Sequence, residues 1–209
     1  MIGVGGHAGV CIEALLDTPD RVVVGCVSKT GESAWQSVDG INIVGSDEQL
    51  PDLVAELEIT HSFVAVTNNR RRAEMFRRCA DLGLPIIDAV SRGAYVSNSA
   101  TLGRGILLAA GSVINSAARL GDGVIVNTNA SVGHDCTIGE ASHVGPGVAM
   151  GGTVLIGEQV LIGIGARIVP GISIGDQAIV GAGSVVVRDV PPGAMMVGNP
   201  ARQTQRPRR

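Results

Sequence analysis

A period of six residues runs through the second half of the chain and limits its fold more than any other feature. From Val96 to Val186 every sixth residue is aliphatic or Met, sixteen times without an insertion, and the next residue is Gly in ten of these hexads. This period matches neither the 3.6 residues of an α-helical turn nor the simple alternation of a long strand. It predicts a solenoid in which three short flat faces, joined by tight turns, make one coil.

Three hexads per coil make the repeat a little over five coils long, with the aliphatic residues stacked in its interior. The composition agrees, because a narrow prism favours branched aliphatic side chains and aromatic residues are only 2% of the chain. The formal charge of −3 argues against a general attraction to nucleic acid or to anionic membranes. No apolar run is long enough to cross a membrane and the first residues do not resemble a signal peptide, so we expect no membrane insertion.

The four cysteines indicate a reducing compartment. Cys11, Cys26, Cys79 and Cys136 are widely spaced, and none belongs to a C-x-x-C pair that would suggest zinc. Each of them stands among apolar neighbours. We therefore predict four buried thiols in a cytoplasmic protein without a metal site.

The first ninety residues have a different texture, in which strand and helix patterns alternate. The predicted elements are strands over residues 21–27, 61–67 and 86–87, and helices over residues 10–16, 47–57 and about 70–82. Such alternation is typical of a small parallel α/β domain. We predict a Rossmann-like domain over residues 1–90, a β-helix over residues 91–191, and a C-terminal extension with a basic tail over residues 192–209.

The glycine-rich loop from Gly3 to Gly9 precedes a helix and is a candidate phosphate site, because it offers backbone N–H groups at a helix N-terminus. A dinucleotide would need an acidic residue after the second strand, where this chain has Ser28 and Lys29. A nucleotide sugar meets no such objection, and a purely structural turn is the other alternative. The candidate substrate-binding residues are Gly5, Gly6, His7, Ser28 and Lys29.

The hexad over residues 132–137 contains the candidate catalytic pair. His134 is predicted on the outside of the coil beside Asp135, where a neutral imidazole can accept a proton while the carboxylate orients it. The alternative is a solvated surface pair. Cys136 is predicted to point inward as a core residue, and His143 is equally consistent with a structural role or a ligand contact.

The remaining charged and polar candidates are predicted to be structural or solvated. His61 is expected to open a strand, and the run from Arg70 to Arg72 is expected to form a solvated helix face. The arginines expected in a tail too polar to pack are Arg202, Arg206, Arg208 and Arg209.

Four segments in this order resemble the sugar O-acyltransferases of the sialic-acid acetyltransferase type, a family that includes bacterial nucleotide-amino-sugar N-acetyltransferases. They are Gly5-Gly6-His7, Thr67-Asn68-Asn69, residues 132–143 and Val197-Gly198-Asn199-Pro200-Ala201. The resemblance implies a left-handed parallel β-helix, a homotrimer with active sites between neighbouring β-helices, acetyl-CoA along the seam, and a nucleotide sugar bound by the N-terminal domain.

The resemblance also implies roles for individual residues. His134 would be the general base, with Asp135 where the family usually has Glu. The residues implied to contact acetyl-CoA are His143 and Gly152 at its acetyl end, and Ile164 and Ala182 nearer its pantetheine and nucleotide. Gly6 and His7 would contact the sugar nucleotide. The chain departs from the family at Ser28-Lys29, which replaces an acidic pair, and at Asp88-Ala89, which replaces His-Pro.

The function implied is direct acetyl transfer from acetyl-CoA to the amine of a nucleotide-linked 4-amino sugar. Two alternatives stay open from the sequence. One is O-acetylation of a sialic-acid hydroxyl, and the other is a non-catalytic β-helix that presents a binding surface.

Overall fold

The structure is a computed structural model that describes residues 1–30 and 36–205. Its N-terminal part alternates short strands with helices. The elements of this part are α1 (His7–Leu16), β1 (Cys26–Ser28), β2 (Ser37–Val38), β3 (Ile41–Ser46), a 3₁₀ helix (Asp47–Gln49), α2 (Leu50–Glu56) and α3 (Asn69–Asp81).

A parallel arrangement of short segments forms the centre of this domain. β1 pairs in parallel with β3, Ile2 bridges Val27 of β1 and Val64, and Ser62 bridges Ile86. Counted along the chain, these five segments lie in the spatial order 3-2-1-4-5. This is the order of a Rossmann-like half, which confirms the predicted α/β class.

The predicted strands of this domain are wrong in extent. The segment over 21–27 pairs only near its end, because Val22 and Val24 turn to solvent and are 82% and 50% exposed. The segment over 61–67 contributes two isolated bridges, through Ser62 and Val64, and the segment over 86–87 contributes one, through Ile86. His61 is exposed and does not open a strand. The β2–β3 hairpin was missed, although Asp39-Gly40 is a hairpin signal and both residues have positive φ.

The helix predictions of this domain are confirmed with small shifts in their ends. α1 begins at His7, three residues earlier than predicted, and the predicted helix over 47–57 divides into the 3₁₀ helix and α2. Asn68 caps α3, since its side chain accepts a hydrogen bond from the Arg71 N–H at 2.9 Å.

The repeat forms strands of two residues, each separated from the next by a tight turn. In chain order they are β4 (Ala89–Val90), β5 (Tyr95–Val96), β6 (Thr101–Leu102), β7 (Leu107–Leu108), β8 (Val113–Ile114), β9 (Arg119–Leu120), β10 (Ile125–Val126), β11 (Ser131–Val132), β12 (Thr137–Ile138), β13 (His143–Val144), β14 (Ala149–Met150), β15 (Leu155–Ile156), β16 (Leu161–Ile162), β17 (Arg167–Ile168), β18 (Ser173–Ile174), β19 (Ile179–Val180) and β20 (Val185–Val186).

Every third strand lies on the same face of a parallel β-helix. The first face begins with β4 and β7, the second with β5 and β8, and the third with β6 and β9. Register partners are three hexads apart, as in Val126 with Val144, so each residue stacks on its equivalent one coil away. We call the turns after these faces the first, second and third edges. The predicted period of three hexads per coil is confirmed.

The stacked aliphatic residues fill the interior of the prism, and Cys136 is fully buried among them as predicted. The N-terminal domain covers the lower part of the first face, where Ala8 and Cys11 of α1 pack with Leu107 and Ile125. All four cysteines are buried free thiols, which confirms that the thiols are buried. Within the described ranges, no helix is long and apolar enough to cross a membrane.

The C-terminal segment continues the first face instead of forming a loose tail. β21 (Met195–Val197) pairs with β19, and β22 (Arg202–Thr204) folds back on it in antiparallel fashion. The prediction of an unpacked tail is therefore wrong for Arg202, because its backbone continues the sheet. Arg206, Arg208 and Arg209 lie outside the described residues.

Candidate active site

The His134–Asp135 pair lies on the second edge, in the turn after β11. Asp135 has φ +58°, a left-handed conformation that Asp tolerates better than most residues, and its N–H donates to the Ser116 carbonyl at 2.9 Å. The His134 Nδ1 is 2.7 Å from Asp135 Oδ2, and the two side chains are 63% and 56% exposed. The carboxylate therefore orients the ring through Nδ1 and leaves Nε2 for a reacting partner.

Gly152 lies one coil from His134 on the same edge, directly against the imidazole. The Thr153 N–H donates to the His134 carbonyl at 2.8 Å, which fixes the two coils relative to each other. A Cβ at position 152 would overlap Nε2 and the neighbouring ring carbons of His134. Glycine is thus required for the ring to lie where it does, and the structure brings these two candidate residues together.

His143 lies on the first face, away from the His134 pair and beneath the N-terminal domain. It is 8% exposed; its Nε2 is 3.2 Å from Asn127 Nδ2, and its ring also hydrogen-bonds the Thr67 backbone. Burial, followed by the positive charge of Arg72, lowers the pKa of His143 to about 3. The imidazole is therefore neutral, and its contact with acetyl-CoA stays a prediction.

The other two candidate cofactor residues lie on the first edge. Ile164 and Ala182 are one coil apart and occupy equivalent turns after β16 and β19. The side chain of Ile164 is exposed, at 58%. In one chain the second face separates these residues from the edge that carries His134 and Gly152.

A pocket of about 500 Å³ lies at the N-terminus of α1. Gly5, Gly6, His7 and Lys29 line it, whereas Ser28 is buried behind it with its hydroxyl 3.5 Å from the Gly45 carbonyl. A Cβ at Gly5 or Gly6 would meet no atom within 4 Å, so these glycines leave open space along the backbone. Four of the five candidate substrate residues therefore share one cavity whose floor is a helix N-terminus, as a phosphate requires.

Sequence reasoning missed further residues of this pocket, above all Asp47 and Arg71. They form an ion pair across the pocket wall, and Asp47 also accepts a hydrogen bond from the Thr30 hydroxyl at 3.3 Å. The signal was available, because β1 and β3 are parallel and their carboxyl ends meet at one edge of the sheet. Asp47 follows β3 as Lys29 follows β1. Arg70 adds a second guanidinium to the pocket lining.

Arg72 does not belong to a solvated helix face, so the prediction is wrong for this residue, whereas Arg70 is exposed as predicted. The Arg72 side chain is 1% exposed and points into the junction between the two domains. It donates to the Val66, Gly123 and Ala141 carbonyls at 2.8, 2.8 and 2.6 Å. Burial lowers the pKa of Arg72 to about 10, which still leaves the guanidinium charged at neutral pH. Turn carbonyls of the β-helix thus stabilise a buried cation.

Asn69 extends the same junction to a further coil. Its Nδ2 donates to the Gln159 and Val160 carbonyls at 3.0 and 2.9 Å, while its Oδ1 accepts from Arg72 at 2.8 Å. Gly123, Ala141 and Gln159 are equivalent turn positions on three consecutive coils. The start of α3, which forms one wall of the pocket, is therefore fixed to the β-helix.

Two family models match the chain, one on each side of the domain junction. The PglD N-terminal domain matches residues 1–79, and the bacterial transferase hexapeptide (six repeats) matches residues 117–152 and 153–188. PerB from Caulobacter crescentus, solved with CoA and GDP-perosamine, is 42% identical with a TM-score of 0.91. The match covers 98% of this chain and 95% of PerB. The chain belongs to the hexapeptide-repeat family of sugar acetyltransferases.

Two further relatives support this family and its left-handed β-helix. A variant of GDP-perosamine N-acetyl transferase from Caulobacter crescentus in which a histidine is replaced by alanine is 40% identical with a TM-score of 0.92. The match covers 98% of this chain and 95% of that one. The acetyltransferase domain of PglB from Neisseria gonorrhoeae, in complex with acetyl coenzyme A, is 36% identical with a TM-score of 0.86, over 97% of both chains. The comparison with curated proteins gave no match.

Proposed function

We propose that the protein is an N-acetyltransferase that moves the acetyl group of acetyl-CoA to the amine of a nucleotide-linked 4-amino sugar, in bacterial glycan biosynthesis. The observation that carries this proposal is the His134–Asp135 pair with its ring against Gly152. The chain that carries this pair belongs to a family in which relatives similar to it are solved with CoA and GDP-perosamine or with acetyl-CoA. The pocket at Gly5, Gly6 and His7 supplies a place for the nucleotide diphosphate.

The chemistry is direct acyl transfer in a ternary complex. The amine attacks the thioester carbonyl, a C–N bond forms, and Nε2 of His134 accepts the amine proton. The oxyanion of the tetrahedral intermediate is stabilised by the Gly152 N–H. Collapse breaks the C–S bond, and the imidazolium returns its proton to the leaving thiolate. Asp135 stabilises the imidazolium through Nδ1.

A cysteine nucleophile has no part in this scheme. Cys136, the thiol nearest in sequence to His134, is buried, and its Sγ lies 3.1 Å from the Gly151 carbonyl. Burial raises the pKa of this thiol, so it stays protonated at neutral pH. The acetyl group therefore passes to the amine without an acetyl-enzyme.

The working enzyme is a homotrimer in this proposal. Three of the four candidate residues for acetyl-CoA lie on two different edges, Gly152 on the second and Ile164 and Ala182 on the first, and the second face lies between them. Packing the second edge of one chain beside the first edge of its neighbour brings His134 and Gly152 next to Ile164 and Ala182, and threefold symmetry repeats this seam. The exposed Ile164 would then be covered. The buried free thiols and the acetyl-CoA requirement agree with a cytoplasmic location.

Subunit mixing tests the shared site. His134→Ala and Ala182→Arg chains, each inactive alone, should regain activity when they are unfolded and refolded together, because some seams then contain both native residues. Mixing either variant with itself is the matched control. If co-refolding restores nothing although mixed trimers form, each site belongs to one chain and the shared-seam proposal fails.

An acceptor panel tests the reaction itself. CoA release is measured with GDP-perosamine, with the same nucleotide sugar carrying a hydroxyl in place of its amine, and with free sialic acid. We expect release only with the amine, and an amide product. Faster release with the hydroxyl compound or with sialic acid would establish O-acetylation instead, and no release with any acceptor would favour a binding protein.

A further inference from the structure

Two aspartates on the third edge cap N–H groups of neighbouring turns. In each hexad the third residue follows the turn position that is usually glycine, and on this edge its N–H points toward the next coil. Asp122 Oδ1 accepts from the Arg104 N–H at 2.8 Å, and Asp176 Oδ1 accepts from the Glu158 N–H at 2.9 Å. In both cases the acceptor is the third residue of the hexad one coil later.

The second edge lacks such a cap at the candidate active site. Gly152 is the third residue of its hexad, and its equivalent one coil later is Pro170, which has no acceptor on its side chain. No acceptor among residues 1–30 and 36–205 bonds the Gly152 N–H. Gly152 is itself buried, and an unpaired N–H in such a place is destabilising. Such a donor is expected to have a ligand partner.

We propose that Pro170 is a positioning residue for acyl transfer, which keeps the Gly152 N–H free for the acyl oxygen by denying it a side-chain cap. The inference rests on the proposed function, because it requires the reaction to occur between His134 and Gly152.

The steric environment of Pro170 matches that of the two capping aspartates. A Cβ at Gly151 would overlap the Pro170 ring, just as a Cβ at Gly103 would overlap Asp122 and one at Gly157 would overlap Asp176. The turn glycine of one coil thus makes room for the third residue of the next in all three places. An Asp or Asn at position 170 therefore fits the space and can reach the Gly152 N–H as Asp176 reaches Glu158.

The test compares Pro170→Asn and Pro170→Asp with the matched control Pro170→Ala. The Asn and Asp variants should cap the N–H and lower kcat about 10²–10³-fold, the usual cost of losing one oxyanion donor. Pro170→Ala, which has no side-chain acceptor, should lose at least ten-fold less kcat than Pro170→Asn, and the KM for acetyl-CoA should change little in all three. Asn separates capping from the effect of a new charge beside His134.

Two other measurements distinguish capping from damage. A crystal structure of Pro170→Asn should show the Asn Oδ1 within hydrogen-bonding distance of the Gly152 N–H. Its Tm should equal or exceed that of Pro170→Ala, since the slower variant gains a hydrogen bond.

The inference is overturned if Pro170→Ala loses as much kcat as Pro170→Asn, if Pro170→Asn keeps the kcat of Pro170→Ala, or if its structure lacks the bond. Failure of the proposed function would show differently, since wild type would then release no CoA with any amine.

Discussion

The β-helix and the N-terminal domain differ in how they bring their candidate site residues together. On the β-helix, His134, Gly152 and Pro170 are equivalent positions of three consecutive coils, so the same local turn geometry places all of them. In the N-terminal domain the pocket combines residues from α1, from the ends of β1 and β3, and from the start of α3. The junction through Arg72 holds that last wall against the β-helix.

This difference predicts which property each kind of substitution should change. A substitution on the second edge changes one side chain or one N–H on a scaffold that its neighbours keep rigid, so it should alter kcat. A substitution at the junction moves a pocket wall, so it should alter sugar binding and stability together. Substitutions at each of the two places test this division.

The largest effect is expected for His134→Ala. Loss of the general base should lower kcat about 10²–10⁴-fold, with acetyl-CoA binding nearly unchanged because the ring is an exposed group on a rigid turn. Asp135→Asn should cost less, since the ring keeps a hydrogen-bond partner and loses only the charge. Steady-state kinetics and calorimetry with acetyl-CoA measure both quantities.

His61→Ala is the control for this pair, because His61 is exposed and its side chain hydrogen-bonds only Thr60 among residues 1–30 and 36–205. It should behave as wild type. Nearly full kcat in His134→Ala at neutral pH would contradict the base assignment and favour an acceptor that binds already deprotonated.

The same division explains how much could be predicted from the sequence. The β-helix follows from the period alone, since each strand pairs with its equivalent three hexads away, and the outward His134 and inward Cys136 follow from their places in the hexad. The short strands of the N-terminal domain pair with segments far away in the chain, as Ile2 does with Val64. Their extent depends on which neighbours are present, which a local pattern does not contain.

Arg72 shows the same limit in a single residue. Three consecutive arginines on a polar helix look solvated, and only the docking of α3 on the β-helix reveals that the third is buried. Asp47 lay within reach of topological reasoning, because it follows a strand that is parallel to β1. The pairing of Arg72 with turn carbonyls of another domain did not, because it depends on the packing of two separately predicted units.

Arg72→Met should cause the second largest effect. The side chain keeps its length but leaves buried carbonyls of Val66, Gly123 and Ala141 without their donor, at about 1–3 kcal/mol for each such group. We expect a Tm lower by roughly 6 °C or more. The KM for the nucleotide sugar should rise, with the KM for acetyl-CoA little changed. Thermal unfolding and kinetics with each substrate varied measure this.

Arg77→Met is the matched control on the same helix, since Arg77 is exposed and, within the described part of the chain, its side chain donates only to the Ala73 carbonyl at 3.4 Å. It should leave Tm and both KM values near those of wild type. Equal losses in the two variants, or a raised KM for acetyl-CoA in Arg72→Met, would show that the junction does not act on the pocket.

Two glycine substitutions provide a smaller but direct test of the division. The added Cβ of Gly152→Ala would overlap the His134 ring and displace it, so kcat should fall about 10- to 100-fold. The added Cβ of Gly6→Ala meets no protein atom and enters the open pocket, so it should raise the KM for the nucleotide sugar and leave kcat unchanged. If Gly6→Ala lowered kcat and Gly152→Ala raised only the KM for the nucleotide sugar, the nucleotide sugar would bind at Gly152 and the reaction would occur at Gly6.

The smallest effect concerns pH and the buried His143. Its pKa of about 3 lies below the ordinary value of 6.5. Between pH 3 and pH 6.5 the imidazole is therefore protonated in the unfolded chain and neutral in the folded chain. Stability should therefore fall as pH drops below 6.5, by at most about 1.4 kcal/mol per pH unit for this group. The pKa of His7, whose ring lies 6.2 Å from His143, is also lowered by burial and adds to the loss.

His143→Gln keeps a donor for the Thr67 backbone and an acceptor for Asn127 but cannot take up a proton. Between pH 7 and pH 5 its Tm should therefore fall less than that of wild type, by a few degrees. His61→Gln, on the exposed surface of the N-terminal domain, should follow the wild-type curve. If the Tm of His143→Gln and the Tm of wild type fall equally over this range, the pKa of His143 is not lowered by folding.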